Sequence, residues 1–156
     1  MPKKLTKNSD RPLELAEEKE IRLAVGRGYK HLKLKRGRAT PMQIQEAMLK
    51  TIDSIMDSKK RKTARAIEDL AIDLGCLWGQ TVCDTIGWEW CFATIGIENV
   101  FAVAPPNRSY VVAPMCFVQT QLQKRPPEDN TSLLLFNMIV GGSLPKAKAG
   151  TYITVG

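Results

Sequence analysis

The side chains of this chain that are able to do chemistry are few and scattered. One histidine, His31, stands in a basic stretch, where a lone exposed ring is usually incidental rather than catalytic. The four cysteines, Cys76, Cys83, Cys91 and Cys116, form no CxxC pair and each sits in an apolar context. Structural zinc wants closely spaced thiolates, so these read as reduced, buried thiols acting as small hydrophobes. No metal and no cofactor is expected. The chain holds no GxSxG elbow, no GxxxxGK[ST] phosphate loop and no HExxH. Asp69 and Asp73 are four apart on a helix face that also carries Arg65, which fits a solvated ion-pair ladder. The expectation is a protein without catalysis; an enzyme using Asp73 and Asp84, near Trp78, is kept as an alternative.

Two other groups are suited to binding. Arg27, Tyr29, Lys30, Lys33, Lys35, Arg36 and Arg38, with His31 interleaved, would neutralise phosphates and stack on a base. The same segment equally fits a solvated tail, or one that docks on an acidic protein. The second group is Trp88-Glu89-Trp90. In a strand, alternate side chains face opposite ways, so Trp88 and Trp90 share one face and Glu89 heads the other. Large aromatics usually go inside. Trp88 and Trp90 are therefore expected in the core against Trp78, which leaves Glu89, Cys91 and Ala93 on a second face that something must cover.

These residues hang on elements that the pattern predicts. Asp10 and Pro12 signal the start of a short helix to about Val25, stopped by Gly26 and Gly28. The stretch from Gly28 to Pro41 reads as a short strand or an extended arm. Thr40-Pro41 caps a second helix, to about Ser58, with a stripe of Ile44, Ala47, Met48, Thr51, Ile52, Ile55 and Met56. The run Lys59-Lys60-Arg61-Lys62 punctuates it. A third helix, Thr63 to Ile86, carries Ile67, Leu70, Leu74, Trp78 and Val82, with Gly75 and Gly79 marking a place where another backbone comes close. The two stripes joined by a basic turn make an αα-hairpin. Gly87 caps the third helix. Strands follow at Trp88–Ile95, Val100–Ala104 and Ser109–Ala113, an antiparallel meander. Helices from Pro114 and over Thr131–Val140 come next, and TYITV at the end reads as a late edge strand.

The fold class is thus α+β: an αα-hairpin packed on a three-stranded antiparallel meander with further C-terminal helices. At 156 residues this is one domain's worth of chain, with 44% apolar and 25% charged residues. The net charge of +7 resides in residues 1–40, which hold 12 Lys and Arg against 5 Asp and Glu. Hence the expected division is a basic N-terminal arm, 1–40, and a single α+β domain, 41–156. No apolar run reaches the roughly 20 residues a bilayer demands. No apolar h-region follows the N-terminal basic residues, so a cytoplasmic protein without membrane contact is expected.

LGCLWGQTVCDTIGWEWCFA and FAVAPPNRSYVVAP resemble a family of small uncharacterised bacterial domains. Their shared features are a helix ending in Leu-x-x-x-Trp-Gly, a Gly-Trp-Glu-Trp strand, and a later strand closing on Ala-Pro or Ser-Pro. Here these match Leu74, Trp78, Gly79, Gly87, Trp88, Glu89, Trp90, Ala113 and Pro114. The match covers roughly residues 63–140 and leaves out the basic arm. Some such domains are encoded beside interbacterial toxins and are thought to act as immunity proteins. The resemblance therefore implies a non-enzymatic protein-binding role, with a toxin as partner. The basic balance departs from what an inhibitor of a nucleic-acid-cleaving toxin would show, which implies a different kind of toxin. The expected partner-binding surface is the outer side of the meander with its Pro105–Arg108 turn: Glu89, Glu98, Asn107 and Arg108. A nucleic-acid-associated protein acting through the basic arm is the alternative.

Overall fold

A capping box opens the first helix, and it lies two residues later than Pro12. The Glu14 backbone N–H donates to Glu17 Oε1 (2.8 Å), and the Glu14 side chain accepts in return from the third helical N–H. The structure, a computed structural model, describes residues 7–156. In it helix α1 spans Leu15–His31 and runs straight through Gly26 and Gly28. These glycines do not stop it. Gly28 is buried against the third helix, where an added Cβ would lie 2.7 Å from the Asp73 carbonyl oxygen. The glycine costs about 1 kcal/mol of helix propensity, which the close packing offsets.

Helix α2 spans Pro41–Met56 and α3 spans Ala64–Ile86. Both begin as the sequence predicts. The Thr40 hydroxyl accepts from Gln43 N and the Thr40 N–H donates to Gln43 Oε1, while the Thr63 hydroxyl accepts from Ala66 N. Gly87, at φ 74°, closes α3 in the left-handed region. Helix α4 (Pro114–Gln123) and helix α5 (Ser132–Val140) complete the helical layer. Gly75 marks the expected close backbone approach, whereas Gly79 makes room for side chains. A Cβ on Gly75 would meet Met115 Cα at 2.6 Å, and one on Gly79 would meet the Trp90 ring at 2.8 Å. Helix α3 is thus the central rod, packed extensively on α1 and α4 and much more sparingly on α2.

The three-stranded antiparallel sheet is present, but its outer strand comes from the N-terminus. Strands β1 (Ser9–Arg11), β2 (Glu89–Ile95) and β3 (Glu98–Ala104) lie in the order β1-β2-β3. Asp10 sits opposite Ala93, and Cys91 opposite Ala102. The segment 109–113, expected as the third strand, touches β3 through one bridge, Val103 to Val112. Its residues Tyr110–Val111 form β4 and pair in parallel with β5, Ile153–Thr154, so the expected late edge strand does form. Ser9-Asp10-Arg11 escapes a hydrophobic-pattern search because its contacts are polar and cationic. Arg11, for instance, lies 4.4 Å over the Phe92 ring. Ser9–Arg11 of the expected basic arm is therefore part of the sheet, while residues 1–6 lie outside the described residues.

Two cores sit on the two faces of the sheet. The larger lies under the helices and includes Ile21, Ala24 and Val25 of α1 together with Met48, Ile52, Leu74, Trp78 and Leu122. The division into an arm of 1–40 and a domain of 41–156 is therefore not a division of the core: α1 shares it. The smaller core is the second face left open by the strand pattern. Cys91, Ala93, Ala102 and Ala104 are buried there beneath Val111 and Tyr152, so the chain's own C-terminal segment covers them.

Candidate functional site

Parity in β2 places the aromatics as expected and their partners otherwise. Trp88 is buried and stacks on Tyr110, with ring centroids 6.4 Å apart. Trp90 lies across Gly79 and donates its indole N–H to Gln80 Oε1. Trp78 is fully buried but packs on Phe117 at 5.1 Å and donates to the Ser132 carbonyl. It locks α3 to α4 and α5 rather than to the Trp88–Trp90 pair.

Of the four expected partner-binding residues, the structure gathers Glu89 and Arg108 and separates Glu98 from them. Arg108, at φ 57°, turns its guanidinium inward. Its Nε and Nη2 donate to the two Asp10 oxygens at 3.0 and 3.2 Å, and Nη1 donates to Glu89 Oε1 at 2.9 Å. Tyr152 donates its hydroxyl to Asp10 as well. Burial alone would raise the Asp10 carboxyl, but the hydrogen bonds from Arg108 and Tyr152 and the charge of Arg108 outweigh it and hold the group below its ordinary value. Burial, then the Asp10 hydrogen bond, push the Tyr152 phenol up to about 12. Asn107 is occupied in its own turn, accepting from Ser109 N and Oγ. Glu98 stands at the other end of the β2–β3 hairpin, opposite Ile95, beside a small cavity of about 200 Å³. Glu89, Asn107 and Arg108 thus work within the fold as a clasp and a turn.

The basic segment is a helix end followed by turns, neither strand nor free arm. Arg27 Nε donates to Asp73 Oδ1 at 2.8 Å, and His31 Nε2 lies 2.9 Å from Asp73 Oδ2. Asp73 is buried, so its ion pair is made with α1 and not with Arg65. Tyr29 packs half-buried on the main core. Lys30, Lys33, Lys35, Arg36 and Arg38 remain exposed, and Arg36 borders a shallow hollow of about 290 Å³ beside Trp90. Asp84 accepts from the Gln80 amide at 2.8 Å on the exposed side of α3. Among the described residues no three His, Cys, Asp or Glu side chains group as metal ligands. Cys76 and Cys83 are pushed up to about 12, and Cys91 to about 11, chiefly by burial. Cys116 departs from the buried-thiol expectation and is exposed.

A larger concavity among the described residues lies elsewhere, where α2 and α3 diverge. It is an open cleft of about 890 Å³. Its floor holds Ile55, Ala66 and Leu70, and its cations are Lys50, Lys60, Arg61 and Lys62, with His31 contributed by α1. No carboxylate lines it. In the sequence Lys59–Lys62 reads only as punctuation between helices. The signal was present, since a basic run joining two apolar stripes sits over whatever gap the helices leave. The gap itself follows from α3 packing on α1 and α4 in preference to α2.

The fold defines an α+β domain, and among the described residues no helix is long and apolar enough to cross a membrane. No family model matches the chain, and no curated protein matches it. A crystal structure of a protein from Bacteroides thetaiotaomicron resembles it with a TM-score of 0.58 at 16% sequence identity. The likeness covers 86% of this chain and 48% of that one, so this chain spans about half the length of its structural neighbour. Similarity at that level of identity speaks for the shared fold.

Proposed function

We propose that this chain is a binding protein without catalysis of its own, which takes a protein partner in the cleft between α2 and α3. An immunity protein that neutralises a toxin in interbacterial competition is the kind of protein that fits, and the resemblance of residues 63–140 supports that choice. The observation that carries the reading is the cleft itself: a concave, open surface with an apolar floor and a charged rim. Mixed surfaces of this kind suit protein partners, with apolar contact at the centre and polar groups around it. The contact surface moves accordingly from the Pro105–Arg108 turn to the α2–α3 side. The reading predicts one stoichiometric partner when the tagged chain is recovered from its source cells. A clean monomer, with no partner under gentle salt conditions, would count decisively against it.

A further inference from the structure

The α2–α3 cleft has a chemical signature that narrows its partner. Every permanently charged side chain on its wall is a cation, and they come from different elements. Lys50 belongs to α2, and Lys60, Arg61 and Lys62 to the connection between the helices. Among the described residues none of these cations is in an ion pair, and the carboxylate that His31 reaches, Asp73 on α3, is shared with Arg27 and only 9% exposed in its side chain. The cleft therefore presents uncompensated positive charge. Between the cations, Ile55 and Leu70 sit half-buried against the main core and leave an apolar floor.

We propose that this cleft is the docking site for an acidic segment of a protein partner, whose carboxylates meet the cationic rim and whose single apolar side chain seats on Ile55, Ala66 and Leu70. The proposal rests on the binding-protein reading above and names the chemistry of its partner. Charge complementarity selects the occupant. A second copy of this chain, at net charge +7, repels itself. The chain's own N-terminus carries Lys3 and Lys4, of the same sign as the rim. Its C-terminal end is already engaged, with Ile153 and Thr154 paired to β4. A single-stranded nucleic acid would want large aromatic rings for its bases, and no Phe, Tyr or Trp lines the cleft. Phosphates would also leave the apolar floor unused.

The test uses the full chain and three fluorescent probes: a short Asp/Glu-rich peptide bearing one leucine, the same peptide with serine in place of leucine, and a single-stranded oligonucleotide. The leucine peptide is expected to bind best, several-fold more tightly than the serine peptide. Replacing Lys60, Arg61 and Lys62 together by Glu should weaken it by about tenfold or more. The charge-matched change of Lys33, Lys35 and Arg38 to Glu, none of which lines the cleft, should leave the leucine dependence intact. All six positions are exposed, so both variants keep the core. Equal losses in the two variants, indifference to leucine, or tighter binding of the oligonucleotide would each overturn the proposal. Recovery of a stoichiometric cellular partner that survives the Lys60, Arg61 and Lys62 changes would overturn the cleft while leaving the binding-protein reading in place.

Discussion

Arg108 illustrates how a residue that looks available in the sequence is consumed by the fold. Its guanidinium reaches Asp10 and Glu89, which stand far apart in the chain, and a backbone with positive φ aims it there. Removing it would strand the largely buried Asp10 carboxylate. Arg108→Ala is therefore expected to destabilise the protein by about 2 kcal/mol, read as a shift in a urea unfolding midpoint. The titrations carry opposite signs. The lowered carboxyl of Asp10 contributes stability at neutral pH that is lost in acid, as pH falls from about 4 through its folded value. Asp10→Asn should flatten that limb of the stability profile. Tyr152, raised to about 12, contributes stability that is whole below its unfolded value and lost as pH rises beyond it. Tyr152→Phe should abolish the alkaline loss assigned to this group, and an identical alkaline limb in the variant would refute the assignment.

At the scale of elements, the two glycines of α1 look alike in sequence and differ in structure. Gly28 faces α3, where a Cβ would be 2.7 Å from a backbone oxygen and 2.9 Å from Leu77 Cβ. Gly26 has nothing within 4 Å of such an atom. Gly28→Ala should force α1 off α3 and cost about 2 kcal/mol, by the overpacking typical of a tight core. Gly26→Ala should instead stabilise by about 0.5–1 kcal/mol, because the helix gains propensity without a clash. Thermal melts of the two variants would separate these outcomes, and a stable Gly28→Ala protein would refute the close packing of α1 on α3. The same reasoning explains why the pattern halted α1 too soon. A glycine ends a helix where its backbone turns left-handed, as at Gly87, and neither Gly26 nor Gly28 does so.

The whole molecule is closed by its two ends. β1 supplies the outer strand and Asp10, while the C-terminal segment supplies Tyr152 and β5 over the small second core. The residues beneath are small, Cys91, Ala93, Ala102 and Ala104, which lets the covering segment lie close to the sheet. Deleting residues 150–156 should uncover that face. Labelling of Cys91 by a thiol reagent, suppressed in the intact chain by burial and by a thiol pushed up to about 11, is expected to accelerate by at least about tenfold. Peptide-resolved mass spectrometry would read it against the exposed Cys116, and unchanged Cys91 labelling would show that the C-terminal segment is not the cover.

What the sequence determined by itself was local: the cap at Thr40, the start of α3 near Thr63, the apolar stripes of α2 and α3, the left-handed stop at Gly87, and the parity that sends Trp88 and Trp90 to one face. Each depends on neighbours within a turn or two of chain, so periodicity and side-chain chemistry suffice. The α+β class followed from those elements. Only the tertiary structure decided that Ser9–Arg11 completes the sheet, that Tyr152 covers its second face, that Asp73 answers Arg27, and that Lys50 and Lys60–Lys62 surround one cleft. These pairings join residues tens of positions apart, and polar partners leave no periodic trace of whom they will meet. The cationic cleft is a shape left between helices, and it came into being only when α3 packed against α1 and α4.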